Sequence, residues 1–159
     1  MNRSSTVVLQ FVVVVIGIAA LGFMLYEPLI EGRNANATLS QVYFNDPFLA
    51  WAYTVAVAFF IALYQAFKLL GYIGRNELFS KRSLQSVRTI KYCMTVLVVF
   101  VVAAEAYLFI VRPEDDIAGG VFMGLLMIVA FGVMATAAAV FERTLQSAVD
   151  RKSELEYKK

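Results

Sequence analysis

Four long apolar segments, separated by short polar ones, organise the chain. They cover about residues 5–26, 47–67, 92–111 and 117–141. Each is close to the roughly 20 residues that a helix needs to cross about 30 Å of hydrocarbon at 1.5 Å per residue. We therefore expect an all-α fold, an integral membrane four-helix bundle that forms a single domain over residues 1–159.

The first apolar segment has a second interpretation, a secretory signal peptide, because Arg3 precedes it. The uncharged run from Ser4 to Tyr26 is longer than the apolar region of a signal peptide. No small-x-small cleavage site follows this run. A first membrane span is the preferred interpretation.

Lysine and arginine are distributed unevenly among the segments outside the predicted spans. Twelve of the fourteen lie in the N-terminus, in residues 68–91 and in the tail, residues 142–159. Because cytoplasmic segments carry the excess of Lys and Arg, this bias predicts that both termini are cytoplasmic. The connection at residues 112–116 is so short that the third and fourth spans are expected to form an antiparallel hairpin.

The inner loop, residues 68–91, is predicted to be helical on both sides of a turn. The second helix continues past Lys68 and ends near residues 74–76, where Gly74 and Asn76 can supply the left-handed conformation that stops helices. Ser80 is the expected N-cap of a helix that begins at Lys81 and runs into the third span. One face of this basic amphipathic helix is apolar: Leu84, Val87 and Ile90.

The cations of the inner loop form a candidate cytoplasmic docking or lipid-head-group surface. They are Lys68, Arg75, Lys81, Arg82, Arg88 and Lys91. Positive-inside topology alone explains their presence, and Lys68 can extend its amine to the anionic leaflet. The amphipathic pattern beside them favours binding of anionic head groups or of a cytosolic protein. With a net charge of only +2, direct nucleic-acid binding has no support.

Glu105 is the one carboxylate inside a predicted span, and an ionisable group in hydrocarbon is by default a functional hypothesis. It lies about 9 Å inward from the outer end of its helix, where Tyr107 or Arg112 could satisfy it. These three residues form a candidate intramembrane polar site. A structural or interfacial role, a proton or cation site and partner binding all stay open.

The fourth span is rich in small residues, and Gly120 and Gly124 form a G-x-x-x-G pattern that favours close helix packing. The competing interpretation is that glycine is simply common in membrane helices.

Composition excludes several kinds of chemistry. The chain is 60% hydrophobic and 16% charged, with a mean hydropathy of +0.71. It has no histidine, and Cys93 is its single cysteine, so haem ligation by histidine, imidazole metal sites, intrachain disulfides and Ser-His or Cys-His nucleophiles are excluded. We expect no enzyme activity, no cofactor and no metal.

Residues 60–93, FIALYQAFKLLGYIGRNELFSKRSLQSVRTIKYC, resemble the bacterial family labelled domain of unknown function 2975. The phrases LYQAFKLL, N-x-x-FS and IKYC carry the resemblance, and the tail LQSAVDRKSELE is similar too. The resemblance implies a four-span protein of the bacterial inner (plasma) membrane. It also implies a small helix-turn-helix regulator encoded nearby, and hence a sensor or regulatory partner. The family supplies no catalytic residues to carry over.

Two functions are therefore expected. The first is an interaction protein whose inner loop and tail bind a cytosolic protein. The second is an oligomeric small transporter or channel that uses Glu105, since four helices enclose too little volume for a substrate path in one copy. A polar cavity around Glu105 favours the second, whereas an apolar core favours the first.

Overall fold

The computed structural model describes residues 3–30, 38, 47–111 and 118–157. Four helices make up almost all of this part of the chain, which contains no strand: α1 (Arg3–Ile30), α2 (Pro47–Gly74), α3 (Lys81–Val111) and α4 (Ala118–Tyr157). Each is long and apolar enough to cross a membrane. The predicted all-α, four-span fold is confirmed.

The helices pack in chain order. The most extensive contact among the described residues joins α3 to α4, followed by α2 to α3 and α1 to α2. α1 lies at the edge, where Thr6 is its one buried side chain among those described. Its apolar side chains face outward, as expected of a helix surrounded by lipid on most sides.

An apolar cluster fills the space between α2, α3 and α4 within the membrane. Its buried members are Ala62 on α2 and Met94 and Leu97 on α3. Partly buried side chains from all three helices surround them: Val55, Ala58, Phe59, Ile90, Cys93, Phe131 and Ala135.

Two helices are much longer than the bilayer is thick. α3 has 31 residues and α4 has 40, which correspond to about 45 and 60 Å against about 30 Å of hydrocarbon. The extra length lies at the start of α3 and at the end of α4, beside the end of α2. We call residues 68–91 and 142–157 the basic end. Residues 142–157 are thus a direct continuation of the fourth membrane helix.

A second apolar cluster holds the basic end together. Leu84 and Val87 of α3 are buried against Leu145 and Val149 of α4, and Leu69 and Leu78 pack on them. The apolar face of the predicted amphipathic helix is therefore covered by protein, so it is not free to lie on lipid. What the basic end exposes is mainly its charged side.

The turn between α2 and α3 combines a helix stop with a helix start. Asn76 has φ 58°, and the amides of Asn76 and Glu77 donate to the carbonyls of Ile73 and Tyr72, which is the Schellman pattern. Ser80 Oγ accepts from the Ser83 amide at 3.2 Å, so the predicted N-cap is confirmed.

Gly74 has a different role from the one predicted for it. Among the described glycines none has a positive φ, so Asn76 alone supplies the left-handed residue. A Cβ at Gly74 would lie 3.1 Å from Cγ2 of Thr6. Gly74 therefore lets α1 approach α2 closely, and nearby Gln10 Nε2 donates to the Phe67 carbonyl at 3.1 Å.

Candidate functional site

A three-residue ion cluster joins α3 to α4 at the basic end. Arg88 Nε lies 2.8 Å from Glu142 Oε1, and Lys91 Nζ lies 2.6 Å from Glu142 Oε2. The side chain of Glu142 is only 13% exposed, whereas that of Arg88 is 49% exposed. Hydrogen bonds from Lys91 and Arg88 lower the pKa of Glu142 below its ordinary value.

The cluster continues along α4 away from the membrane. Arg88 Nη2 donates to Gln146 Oε1 at 3.4 Å, and Gln146 Nε2 donates to both carboxylate oxygens of Asp150 at 3.1 Å. Residues 142, 146 and 150 are four apart, so they share one face of the helix. Arg88, Glu142 and Gln146 therefore form one polar seam between the two helices.

The six cations predicted as one surface do not share one environment. Arg88 and Lys91 are committed to Glu142. Lys68 Nζ lies 5.4 Å from the ring centre of Tyr64, on the same helix. Arg75, Lys81 and Arg82 are exposed and make no ion pair with any residue that the structure describes.

An exposed aromatic side chain marks the tip of the basic end. Phe79, in the turn between α2 and α3, is 53% exposed. It lines a shallow groove with α4 residues, namely Thr144, Ser147, Ala148, Arg151, Lys152 and Leu155. The sequence places Phe79 in the N-x-x-FS phrase of the family but does not indicate that its side chain is exposed.

Helix length and hydropathy place the tip beyond the lipid head groups. Lys81 precedes Tyr92, where the apolar part of α3 begins, by eleven residues, which is about 15 Å of helix. Each head-group layer is only about 5–8 Å thick. With the apolar boundary of α3 at Tyr92, we place Phe79 in water rather than at the membrane interface.

The Glu105 carboxylate lies directly against Gly124. A Cβ at position 124 would overlap the carboxylate oxygen Oε1, so only glycine leaves room for Glu105 in this position. The other oxygen, Oε2, is buried without a hydrogen-bond partner. One turn away, a Cβ at Gly120 would lie 3.6 Å from Leu108 Cδ1. Both glycines of the G-x-x-x-G pattern thus face α3.

The other two residues predicted near Glu105 do not complete a site in the described part of the chain. Tyr107 is 43% exposed and has no hydrogen bond to Glu105. Arg112 lies outside the described residues. No cluster of three or more His, Cys, Asp or Glu suited to a metal ion occurs among the described residues.

Comparison with known proteins identifies the family. Residues 29–157 match the family described as Protein of unknown function (DUF2975), which covers most of the chain. The chain belongs to this family. The uncharacterized membrane protein YoaS of Bacillus subtilis (strain 168) is 36% identical to it over 155 residues, 97% of each chain. No solved structure matches the sequence.

The family resemblance seen in residues 60–93 is thereby confirmed, as is the nature of the chain as a membrane protein. Residues 60–93 supply two of the three charges in the ion cluster of this DUF2975 member, Arg88 and Lys91. The third, Glu142, lies in the tail, for which the sequence predicts only a surface that binds a cytosolic protein, not a contact with α3. The available signal was the pair Leu145 and Val149, which continues the apolar spacing of α4 past Glu142.

Proposed function

We propose that this DUF2975 protein is a membrane-anchored docking partner of a cytosolic protein and acts in sensing or regulation, without chemistry of its own. The observation that carries the proposal is Phe79, exposed in water at the tip of a folded extension. Phe79 shares its groove with the exposed Leu155 and with Arg151 and Lys152, and a contiguous apolar patch rimmed by charged residues is typical of a protein interface.

The extension is suited to binding because it is preorganised. The apolar cluster of the basic end and the ion pairs of Glu142 fix α3 against α4 below the tip. A partner therefore meets a groove that already exists, and little entropy is lost in forming it. The cations near it, among them Arg151 and Lys152, favour a partner with an acidic surface.

A small helix-turn-helix regulator is the partner that the family resemblance implies. The test uses the full chain in lipid nanodiscs and the purified helix-turn-helix regulator that the resemblance leads us to expect nearby in the genome, with binding measured by interferometry. We expect Phe79→Ser to weaken binding at least about tenfold, as for an aromatic interface residue worth more than about 1.4 kcal/mol. Gln85→Ala, an exposed change on α3, is the matched control and should bind normally.

The proposal fails if native membranes solubilised in mild detergent repeatedly yield no partner and deletion of the protein leaves the regulator's output unchanged. If Phe79→Ser binds the partner as tightly as the wild type does, the tip is not the docking surface.

A small oligomeric transporter or channel is the second candidate, and the partnerless Oε2 of Glu105 is the observation that favours it. Against it, the carboxylate packs on Gly124 and the three central helices close around an apolar cluster. Proton-coupled flux into liposomes, compared between the wild type and Glu105→Gln, separates the two functions. Flux that the substitution abolishes supports transport, and flux that it leaves unchanged removes Glu105 from the candidate.

A further inference from the structure

A second groove lies between α3 and α4, closer to the membrane than Phe79. It is lined by Arg88, Lys91, Ala139, Glu142, Arg143, Gln146 and Ser147. Lys91 directly precedes Tyr92, and Arg143 follows Phe141 by two residues, so both cations lie within about 3 Å of the apolar boundary along their helices. Arg88 lies about 6 Å beyond it. The groove is therefore at head-group depth, in a layer about 5–8 Å thick.

The groove has an excess of positive charge. It contains three cations, Arg88, Lys91 and Arg143, and one carboxylate, Glu142. Both oxygens of Glu142 are already occupied, one by Arg88 and the other by Lys91. The carboxylate thus holds the two cations side by side, and the groove keeps two positive charges more than negative ones.

Donors remain available for a bound anion. Arg88 uses Nε for Glu142 and Nη2 for Gln146, which leaves other N–H groups of its guanidinium. Arg143 is exposed and makes no ion pair with a described residue. Lys91 Nζ also lies 4.6 Å from the ring centre of Tyr92, a residue type that favours the membrane interface.

We infer that this groove binds the phosphate group of an anionic phospholipid. Guanidinium groups match the oxygens of a phosphate, and basic pockets between membrane helices are suited to anionic head groups. The depth of the groove selects a lipid, because a phosphate held there is next to the acyl region. Ser147 is the one residue that lines both this groove and the Phe79 groove, and every cation used here belongs to this groove alone, so the inference goes beyond the proposed docking function and does not depend on it.

Arg143 gives the sharpest test because its removal leaves both ion pairs of Glu142 intact. The full chain in mild detergent is titrated with phosphatidylglycerol or phosphatidylcholine, and bound lipids are counted by native mass spectrometry. We expect the wild type to prefer phosphatidylglycerol, and Arg143→Gln to reduce that preference about fivefold, the effect of one cation near an anionic lipid. Arg143→Lys should keep most of the preference.

Arg151→Gln is the matched control, since residue 151 is on the same helix but about 15 Å beyond Phe141. It should leave the lipid preference unchanged. An equal loss in both glutamine variants would mean diffuse attraction rather than a site, and would overturn the inference. So would full competition by glycerol phosphate without any lipid preference, because the groove would then bind free phosphate. Thermal unfolding of each variant checks that folding is retained.

Discussion

At the scale of single residues, Glu105 and Gly124 restrict each other. The carboxylate occupies the space of a missing Cβ, and one of its oxygens is buried without a partner. The sequence predicts Glu105 as the one charged group in a span and Gly124 as a packing residue, but not that they meet. A glycine pattern on one helix does not identify which side chain of a neighbouring helix occupies the space beside the glycine.

We predict that Gly124→Ala destabilises the protein by about 1 kcal/mol, the low end for added volume, because the methyl group displaces only the flexible end of the Glu105 side chain. Adding Glu105→Ala should recover most of the loss, whereas adding Glu105→Gln, which keeps the side chain's shape, should not. Gly132→Ala on the same helix has no atom within 4 Å of its new methyl group and should be tolerated. Thermal unfolding in detergent measures these four variants together with the Glu105→Ala and Glu105→Gln single variants, and additive effects of the Gly124 and Glu105 substitutions contradict the contact.

Glu142 gives the protein a defined response to acid. Its pKa is lowered in the folded state by Lys91 and Arg88, so its ion pairs contribute stability above the pKa it has in the unfolded chain. That contribution is lost as the pH falls through the lowered folded pKa, below the ordinary carboxyl range of about 4.

The contribution of Glu142 can be tested by comparing the melting temperatures of the wild type and of Glu142→Gln across a range of pH. At neutral pH the wild type should melt at a higher temperature than Glu142→Gln. This difference between the two proteins should shrink as the pH falls below about 4. Glu154→Gln, at an exposed position of the same helix without an ion pair to any described residue, is the control and should leave the melting temperature at neutral pH unchanged. A difference between the wild type and Glu142→Gln that is constant with pH is the contrary result.

At the scale of helices, local chemistry determines where elements stop and start. Ser80 and Asn76 can be recognised from sequence because capping needs only residues a few positions apart. The continuation of α4 to Tyr157 was harder to predict, since Glu142 and Arg143 end the apolar run without ending the helix. The apolar cluster beyond them depends on contact with α3, which the sequence of α4 does not contain.

Asn76 provides a matched pair of substitutions for the helix stop. Its φ of 58° is left-handed, where an L-residue with a Cβ costs roughly 1–2 kcal/mol and glycine costs little. Asn76→Ala should therefore lower stability, while Asn76→Gly should match or exceed the wild type. Chemical or thermal unfolding distinguishes them, and equal loss in both variants means that the asparagine side chain, rather than its backbone, is what matters.

The apolar cluster of the basic end should behave as a true core. Leu145 is 1% exposed, and its truncation to alanine should cost about 2–5 kcal/mol. Leu155, ten residues farther along α4, is 67% exposed, so Leu155→Ala should cost little. Proteolysis of the tail reports the same difference locally: Leu145→Ala should expose residues 142–157 to cleavage, and an unchanged pattern contradicts a packed extension.

At the scale of the whole molecule, hydropathy predicts the four spans but not how they are arranged. In lipid an outward-facing apolar residue is as well solvated as a buried one, so Phe11 and Phe23 of α1, both more than two-thirds exposed, give no packing signal. The arrangement in chain order therefore emerges only from contacts such as Tyr53 Oη donating to the Met24 carbonyl.

The distribution of charge predicts which end of the molecule faces the cytoplasm, and this prediction can be tested with single cysteines. In a Cys93→Ala background, Thr38→Cys and Ser153→Cys place one thiol at each end of the molecule. With twelve of the fourteen Lys and Arg residues at the end that holds Ser153, we expect a membrane-impermeant maleimide to label position 38 in intact protoplasts. Position 153 should react only after permeabilisation, which also shows that its thiol is accessible.

Because Thr6 packs on Gly74 and Glu142 pairs with α3, all three basic segments lie on the same side of the membrane. One labelling pattern therefore decides their common orientation. The reverse pattern would place the Phe79 groove outside the cell and exclude a cytosolic partner.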